Sequence, residues 1–151
     1  MFRVYIMNQL SFHQEFSVSL NRLFNCFCKT ELLVQWFMPE DMQLKYMVMN
    51  VREGAEFEMV FIDDSGAPIR RYTGEFAKVR ANEQLLFTLK LDDGYESSVD
   101  VRFEMINDKV TCLHLNHEGL EGEAQRAFAH AQWVARFKRL AMLRELKELG
   151  Q

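Results

Sequence analysis

Cysteine is scarce in these 151 residues: Cys26, Cys28 and Cys112 are all there is. The number is odd and no C-x-x-C pair occurs. On a helix Cys26 and Cys28 would diverge by about 200° and could not share an ion, so neither a disulfide framework nor a thiolate metal site is expected. Reduced thiols in a reducing compartment follow, hence a cytoplasmic protein. A basic excess is also missing. Lys and Arg number 18 against 22 Asp and Glu, for a net charge of −4, and residues 51–100 alone hold six basic against eleven acidic side chains. Without a basic stripe to meet phosphates, nucleic-acid binding is excluded. No hydrophobic run approaches a membrane span. Near the start, Arg3 and the apolar run Val4–Met7 end at Asn8-Gln9 with no small-residue cleavage site, so no signal peptide is expected. H-E-x-x-H, G-x-S-x-G, Walker and G-x-G-x-x-G patterns are absent, as are internal repeats, low-complexity tracts and linkers. No catalytic residue, metal ligand or cofactor is therefore assigned, and residues 1–151 read as a single domain.

What is present is apolar and aromatic. Phe occurs 13 times and Met nine, within a hydrophobic fraction of 48%. Large rings beside adaptable thioethers suit an irregular interior or a cavity, though a plain filled core uses the same residues. The most committed stretch is Gly122–Leu149, free of proline and internal glycine and dense in Ala, Leu, Arg, Lys and Glu. Glu118, Glu121 and Glu123 cluster at its start and Lys138, Arg139, Arg144 and Lys147 toward its end, the polarity a helix dipole favours. Trp133, Phe137, Leu140 and Ala141, with Phe128, Ala131 and Val134, give it one broad apolar face. Such a helix is roughly 40 Å long and needs a sheet to cover.

The segments before it supply one. Leu10, Phe12, Phe16 and Val18 alternate as a first strand, interrupted by Gln14. Ser19 predicts an N-cap, and Leu20, Leu23, Phe24 and Phe27 an amphipathic helix behind it. Thr30 predicts the cap of a second short helix, which Pro39 ends by forcing Met38 out of helical geometry. The period then falls to two. Leu44, Tyr46 and Val48 predict one strand face, and Phe57, Met59 and Phe61 the next. Turns at Asp63–Gly66, Ala81–Glu83, Asp92–Gly94 and Asn107-Asp108 separate the remaining strands, with Gly74 marking a bend or bulge. Short connections imply an antiparallel meander. The class is α+β, a long helix lying on one face of a curved antiparallel sheet of six to seven strands.

Of the four histidines, His114 and His117 are three apart on the last strand and face opposite sides, so they cannot chelate one ion. Cys112 and His114 share the outer face, with no acidic partner visible. Thr111, Leu113, Leu115 and His117 form the inner face. His130 lies one turn before Trp133, a placement that allows His117 and His130 to meet inside; the plainer reading, which takes precedence, leaves one exposed and the other hydrogen-bonded.

Several blocks also resemble a known family. Leu33-Val34-Gln35-Trp36-Phe37-Met38-Pro39 is similar to its L-x-x-W-[WF]-x-P signature. Gly54-x-x-Phe57, Tyr72-Thr73-Gly74-Glu75-Phe76 and Leu85-Leu86-Phe87-Thr88 resemble its middle blocks. Thr111-x-Leu113-x-Leu115-x-His117-x-Gly119 resembles its last strand, and Trp133-x-x-x-Phe137-x-x-Leu140-x-x-Leu143 its last helix. These are homologues of the C-terminal domain of the activator of the ninety-kilodalton heat-shock protein's ATPase, within the START-like, polyketide-cyclase-like (SRPBCC) superfamily. The resemblance implies a helix-grip fold with a hydrophobic cavity between sheet and helix. Gln132 departs from a frequent Gly, which either narrows the cavity mouth or changes how the helix approaches the sheet; Ala81-Asn82 replaces a frequent Pro. The namesake carries a further N-terminal domain absent from these residues, so chaperone activation ranks below ligand binding.

The leading expectation is a cavity for an apolar or aromatic, lipid- or polyketide-like molecule, entered near Trp36-Phe37, in a monomer or homodimer. Trp36, Phe57, Met59, Phe87 and Leu89 are its expected walls, with Phe103, Leu113 and Leu115 beyond them and Trp133 and Phe137 from the helix. His117 and His130 are its expected polar groups. One rival is an enzyme using either histidine as general acid or base. Another is an interaction module with a filled core and acidic strands meeting a basic partner.

Overall fold

The computed structural model describes residues 9–149 apart from Glu40 and Asp93, with side chains as far as Leu143. The run Val4–Met7, the Asp93 position of its turn and the last charges of the long helix lie outside the described residues.

Strand β1 (Gln9–Phe16) leads into helices α1 (Leu20–Cys28) and α2 (Thr30–Phe37). Strands β2 (Gln43–Val48), β3 (Glu56–Ile62), β4 (Pro68–Arg80), β5 (Gln84–Leu91), β6 (Glu96–Asn107) and β7 (Val110–Glu118) follow, then helix α3 (Gly122–Leu149). All pairings are antiparallel in the order β1-β7-β6-β5-β4-β3-β2. The first two strands thus occupy opposite edges, and α1 and α2 carry the chain from one edge to the other. No helix among the described residues is long and apolar enough to cross a membrane.

Local chemistry explains most of this. Ser19 caps α1 by accepting from the Arg22 amide at 3.4 Å. Thr30 is instead the first residue of α2, whose cap position is Lys29, without a side-chain cap bond. The helix follows so closely on α1 that Lys29 serves both, donating its amide to the Asn25 carbonyl. Met38 is extended (φ −69°, ψ 133°) ahead of Pro39, as the proline requires. At the Asp63 turn, Oδ1 accepts from the amides of Ser65 and Ala67. Asn82 takes the left-handed conformation at φ 63°, one that proline cannot adopt.

Bulges break the register at four points and bend the sheet around the helix. One lies between Leu44 and Tyr46 and overturns the expected alternation. Leu44 and Met47 pack on the core, while Tyr46 and Val48 are turned outward. Gly74 is no bulge; the register shifts of β4 lie on either side of it, at Pro68/Arg70 against β3 and between Phe76 and Lys78 against β5. What Gly74 provides is room, because a Cβ there would lie 2.0 Å from the Thr88 carbonyl and 2.5 Å from the Phe57 ring.

The inner face of α3 is narrower than expected. Ala129, Trp133, Phe137, Leu140 and Leu143 are buried, but Phe128, Ala131 and Val134 are exposed. None of the three cysteines is in a disulfide, and burial pushes the Cys28 thiol up to about 12. Thiol titration of the unfolded, non-reduced protein is expected to find three groups, and the native protein to react slowly at neutral pH. A count of one in the unfolded protein would disprove the assignment.

Candidate functional site

The inward residues of β7 end at His117, which is 4% exposed. The Trp133 indole donates Nε1–H to His117 Nδ1 at 3.0 Å. An indole N–H is only a donor, so Nδ1 holds the lone pair and the ring proton is on Nε2. That proton goes to Ser97 Oγ at 2.7 Å, and the Ser97 hydroxyl donates in turn to the Leu89 carbonyl at 3.0 Å. Burial, with a smaller push from Arg136, lowers the His117 pKa to about 4, so the ring is neutral. The chain Trp133–His117–Ser97–Leu89 ties α3 to three adjacent strands with every donor used.

Arg136 follows one turn later on the same face of α3 and is 2% exposed. Its guanidinium lies 3.8 Å from the centre of the Phe37 ring, 4.7 Å from Trp133 and 5.4 Å from Tyr72. Nη2 donates to the Tyr72 hydroxyl at 3.0 Å and Nε to the Phe37 carbonyl at 3.5 Å. Arg139 Nε donates likewise to the Trp36 carbonyl at 2.9 Å. The two arginines thereby satisfy carbonyls that the end of α2 leaves without helical partners.

Between these groups and the turn after β5 lies a cleft of about 300 Å3. Its floor is Leu89, Trp133 and His117, with Arg136 and Tyr72 at one side. Tyr95, Ala124 and Phe128 line it as exposed residues and form its mouth. Larger depressions of about 610 and 550 Å3 lie elsewhere, but they are open. The first is bordered by Glu56, Glu58, Arg71 and Glu75, charges that water already solvates. The cleft under α3 combines apolar walls with a few converging polar groups, the usual make-up of a small-molecule site.

Residues 17–145 match the family model described as Activator of Hsp90 ATPase homolog 1-like protein. The chain belongs to this family. A search of curated proteins finds no match. Among solved structures, protein CV1439 from Chromobacterium violaceum is 21% identical, with a TM-score of 0.80 over 90% of this chain and 96% of that one. The AHSA1 protein SPO3351 from Silicibacter pomeroyi is 22% identical, with a TM-score of 0.80 over 92% and 99%. DynU16, a putative protein in the dynemicin biosynthetic locus, is 17% identical, with a TM-score of 0.75 over 91% of this chain and 47% of that one. At these identities the likeness shows the fold, the helix-grip of the SRPBCC type.

In this AHSA1-family chain the expected lining divides. Leu89, His117 and Trp133 border the cleft. Trp36, Phe57, Met59 and Phe87 surround a separate gap of about 30 Å3, which Leu89 and Trp133 also touch. That is room for about one water, so these four rings and thioethers act as packed core. Phe103, Leu113, Leu115 and Phe137 are buried and line neither space.

His130 is exposed and does not meet His117; its ring lies 5.4 Å from that of Phe12. The stripe of α3 that carries it runs along β1, with Arg126 Nε donating to the Gln9 carbonyl at 3.2 Å. Because β1 is an edge strand, that stripe stays open to water. The entrance likewise differs from expectation. Trp36 and Phe37 are buried, and the mouth lies at the opposite rim, by Tyr95 and Phe128.

Gln132 does line the cleft, where a glycine would leave it wider. Arg136, Tyr72 and Ser97 are site residues that the sequence reading missed. A signal existed for each: Arg136 is one turn from Trp133, and Tyr72 and Ser97 pair with Leu91 and Leu89.

The outer face also assembles what sequence spacing hid. Glu104 from β6 supplies the acidic neighbour of Cys112 and His114, their ligand atoms lying within 4.8 Å of one another. His114 Nε2 is 2.8 Å from Glu104 Oε1, and its Nδ1 is 2.6 Å from His13 Nδ1. Both ring nitrogens are thus engaged in opposite directions. Burial and the charges of Glu104 and Glu15 push the Cys112 thiol up, keeping it protonated. The group is a hydrogen-bonded brace across β1, β7 and β6.

Proposed function

We propose that this protein binds a compact hydrophobic or aromatic small molecule in the cleft between the sheet and α3. The observation that carries the reading is the 300 Å3 apolar cleft at the inner face of the helix. Its volume is at the lower end of the roughly 300–1,000 Å3 of small-molecule sites, which favours two or three rings or a single short chain over a two-chain lipid. The structural relative DynU16, a putative protein in the dynemicin biosynthetic locus, is compatible with this reading.

Binding is favoured over turnover. A general base needs a free lone pair, and His117 gives its only one to the Trp133 indole. His130 does not border the cleft. A filled-core interaction module is disfavoured by the cleft itself.

N-phenyl-1-naphthylamine, a neutral fluorophore, tests the reading. The native protein is expected to take it up saturably at one site. Ala124→Trp, at the exposed mouth, is expected to weaken uptake on the order of tenfold with an unchanged melting temperature. Absence of uptake, or uptake indifferent to Ala124→Trp, would contradict it.

A further inference from the structure

Arg136 is the charged group in this site that the described residues leave without an opposite full charge. A buried guanidinium stays ionised, and isolating its charge from water is costly unless an opposite charge answers it. None of the ion pairs among the described residues involves Arg136. The Tyr72 phenol favours its charge, while the full charges that act on it, Arg139 and Arg70, are of its own sign. Arg70 lies near the cleft mouth, its guanidinium carbon 5.4 Å from the Phe128 ring centre.

Capping α2 is a structural use for this side chain, but an incomplete account. A carbonyl and a phenol oxygen occupy two of five N–H donors, and neither carries a charge. The aromatic faces around it add cation–π attraction, which offsets part of the desolvation and supplies no counter-ion. Arg136 also borders the cleft, beside Tyr72. A planar fork with donors to spare, set at the side of an apolar cleft, matches a carboxylate. A phosphate would ask for more donors than one guanidinium and one phenol provide.

We propose that the molecule held in this cleft is an amphipathic carboxylate, its hydrocarbon body against Leu89, Trp133 and Leu120 and its acid group on Arg136. This deepens the cleft-binding reading and rests on it. The guanidinium then serves twice, tying α2 to α3 and neutralising the ligand. Arg70 and Arg139 add a positive field that favours acids over neutral analogues.

Matched probes test this without altering the protein. Binding of 2-naphthoate and 2-naphthamide, and of octanoate and octanamide, is measured by calorimetry at pH 8. Each acid is expected to bind at least about tenfold more tightly than its amide. The Arg136 Nε–H nitrogen resonance is expected to move with the acid and stay with the amide. In Arg136→Met the preference is expected to vanish while amide affinity persists; should that variant not fold, the resonance shift in the parent decides. Equal affinity of acid and amide would overturn the carboxylate and leave the cleft reading intact. An acid preference with an unmoved Arg136 resonance would overturn the assignment to Arg136. No binding of any probe, N-phenyl-1-naphthylamine included, would remove the cleft reading itself.

Discussion

Trp133→Ala is expected to lower the free energy of unfolding by about 3–5 kcal/mol, the usual cost of removing a large buried ring. The residue is 1% exposed and stacks near Phe37 and Phe137 as well as His117. The upper end of that range applies, because the change also strands His117 Nδ1, a buried acceptor whose unmet bond costs about 1–3 kcal/mol. Two spaces that Trp133 now borders would join into one. Urea unfolding monitored by circular dichroism measures the loss. Coincident midpoints for parent and variant would show that the helix is not gripped at this residue.

Acidification is expected to produce the second large effect. The folded protein holds His117 neutral down to about pH 4, against an ordinary value of 6.5. Above pH 6.5 neither folded nor unfolded chains protonate the ring, and the stabilisation is complete. Between pH 6.5 and 4 the unfolded state binds a proton that the folded state does not, so stability falls with pH. Below pH 4 both states are protonated and the loss levels off. Two and a half pH units correspond to about 3 kcal/mol. His117→Gln removes this titration and leaves the surface carboxylates in place, so the difference between parent and variant isolates the ring. The parent is expected to lose the extra stability between pH 6.5 and 4.5; parallel profiles would refute the neutral bridge.

Periodicity made the helix-grip frame legible. Alternation at Thr111, Leu113, Leu115 and His117 and the 3.6-residue rhythm of Trp133, Phe137 and Leu140 record which side of each element is inside, and burial agrees. What failed to show were features that pattern alone cannot encode. A bulge at Leu44/Tyr46 reverses an alternation without any residue announcing it. His130 has the phase of a buried residue but lies over an edge strand, and helical spacing is blind to where a sheet stops. Arg136 has that same inner phase but is absent from the expected lining, since no spacing rule foretells three aromatic rings arriving from α2, β4 and one turn back on α3. The Glu104–His114–His13 brace joins three strands, and only their register reveals it. The cleft depends on the same long-range placements, and of the expected lining residues Leu89, His117 and Trp133 border it.

The bulge in β2 has a further effect at the boundary of the sheet. Among the described residues this strand pairs with β3 alone and ends the strand order, so no described strand covers its far side. An exposed, regular strand of that kind is a template on which another chain can add itself. Here the extra residue is Lys45, exposed and without a partner in the β3 register. A twist in the strand and a cation at the twist are two devices that discourage such addition. The irregularity that hides β2 from sequence patterning therefore also guards its open edge, and Lys45 is part of how this sheet avoids growing into its neighbours.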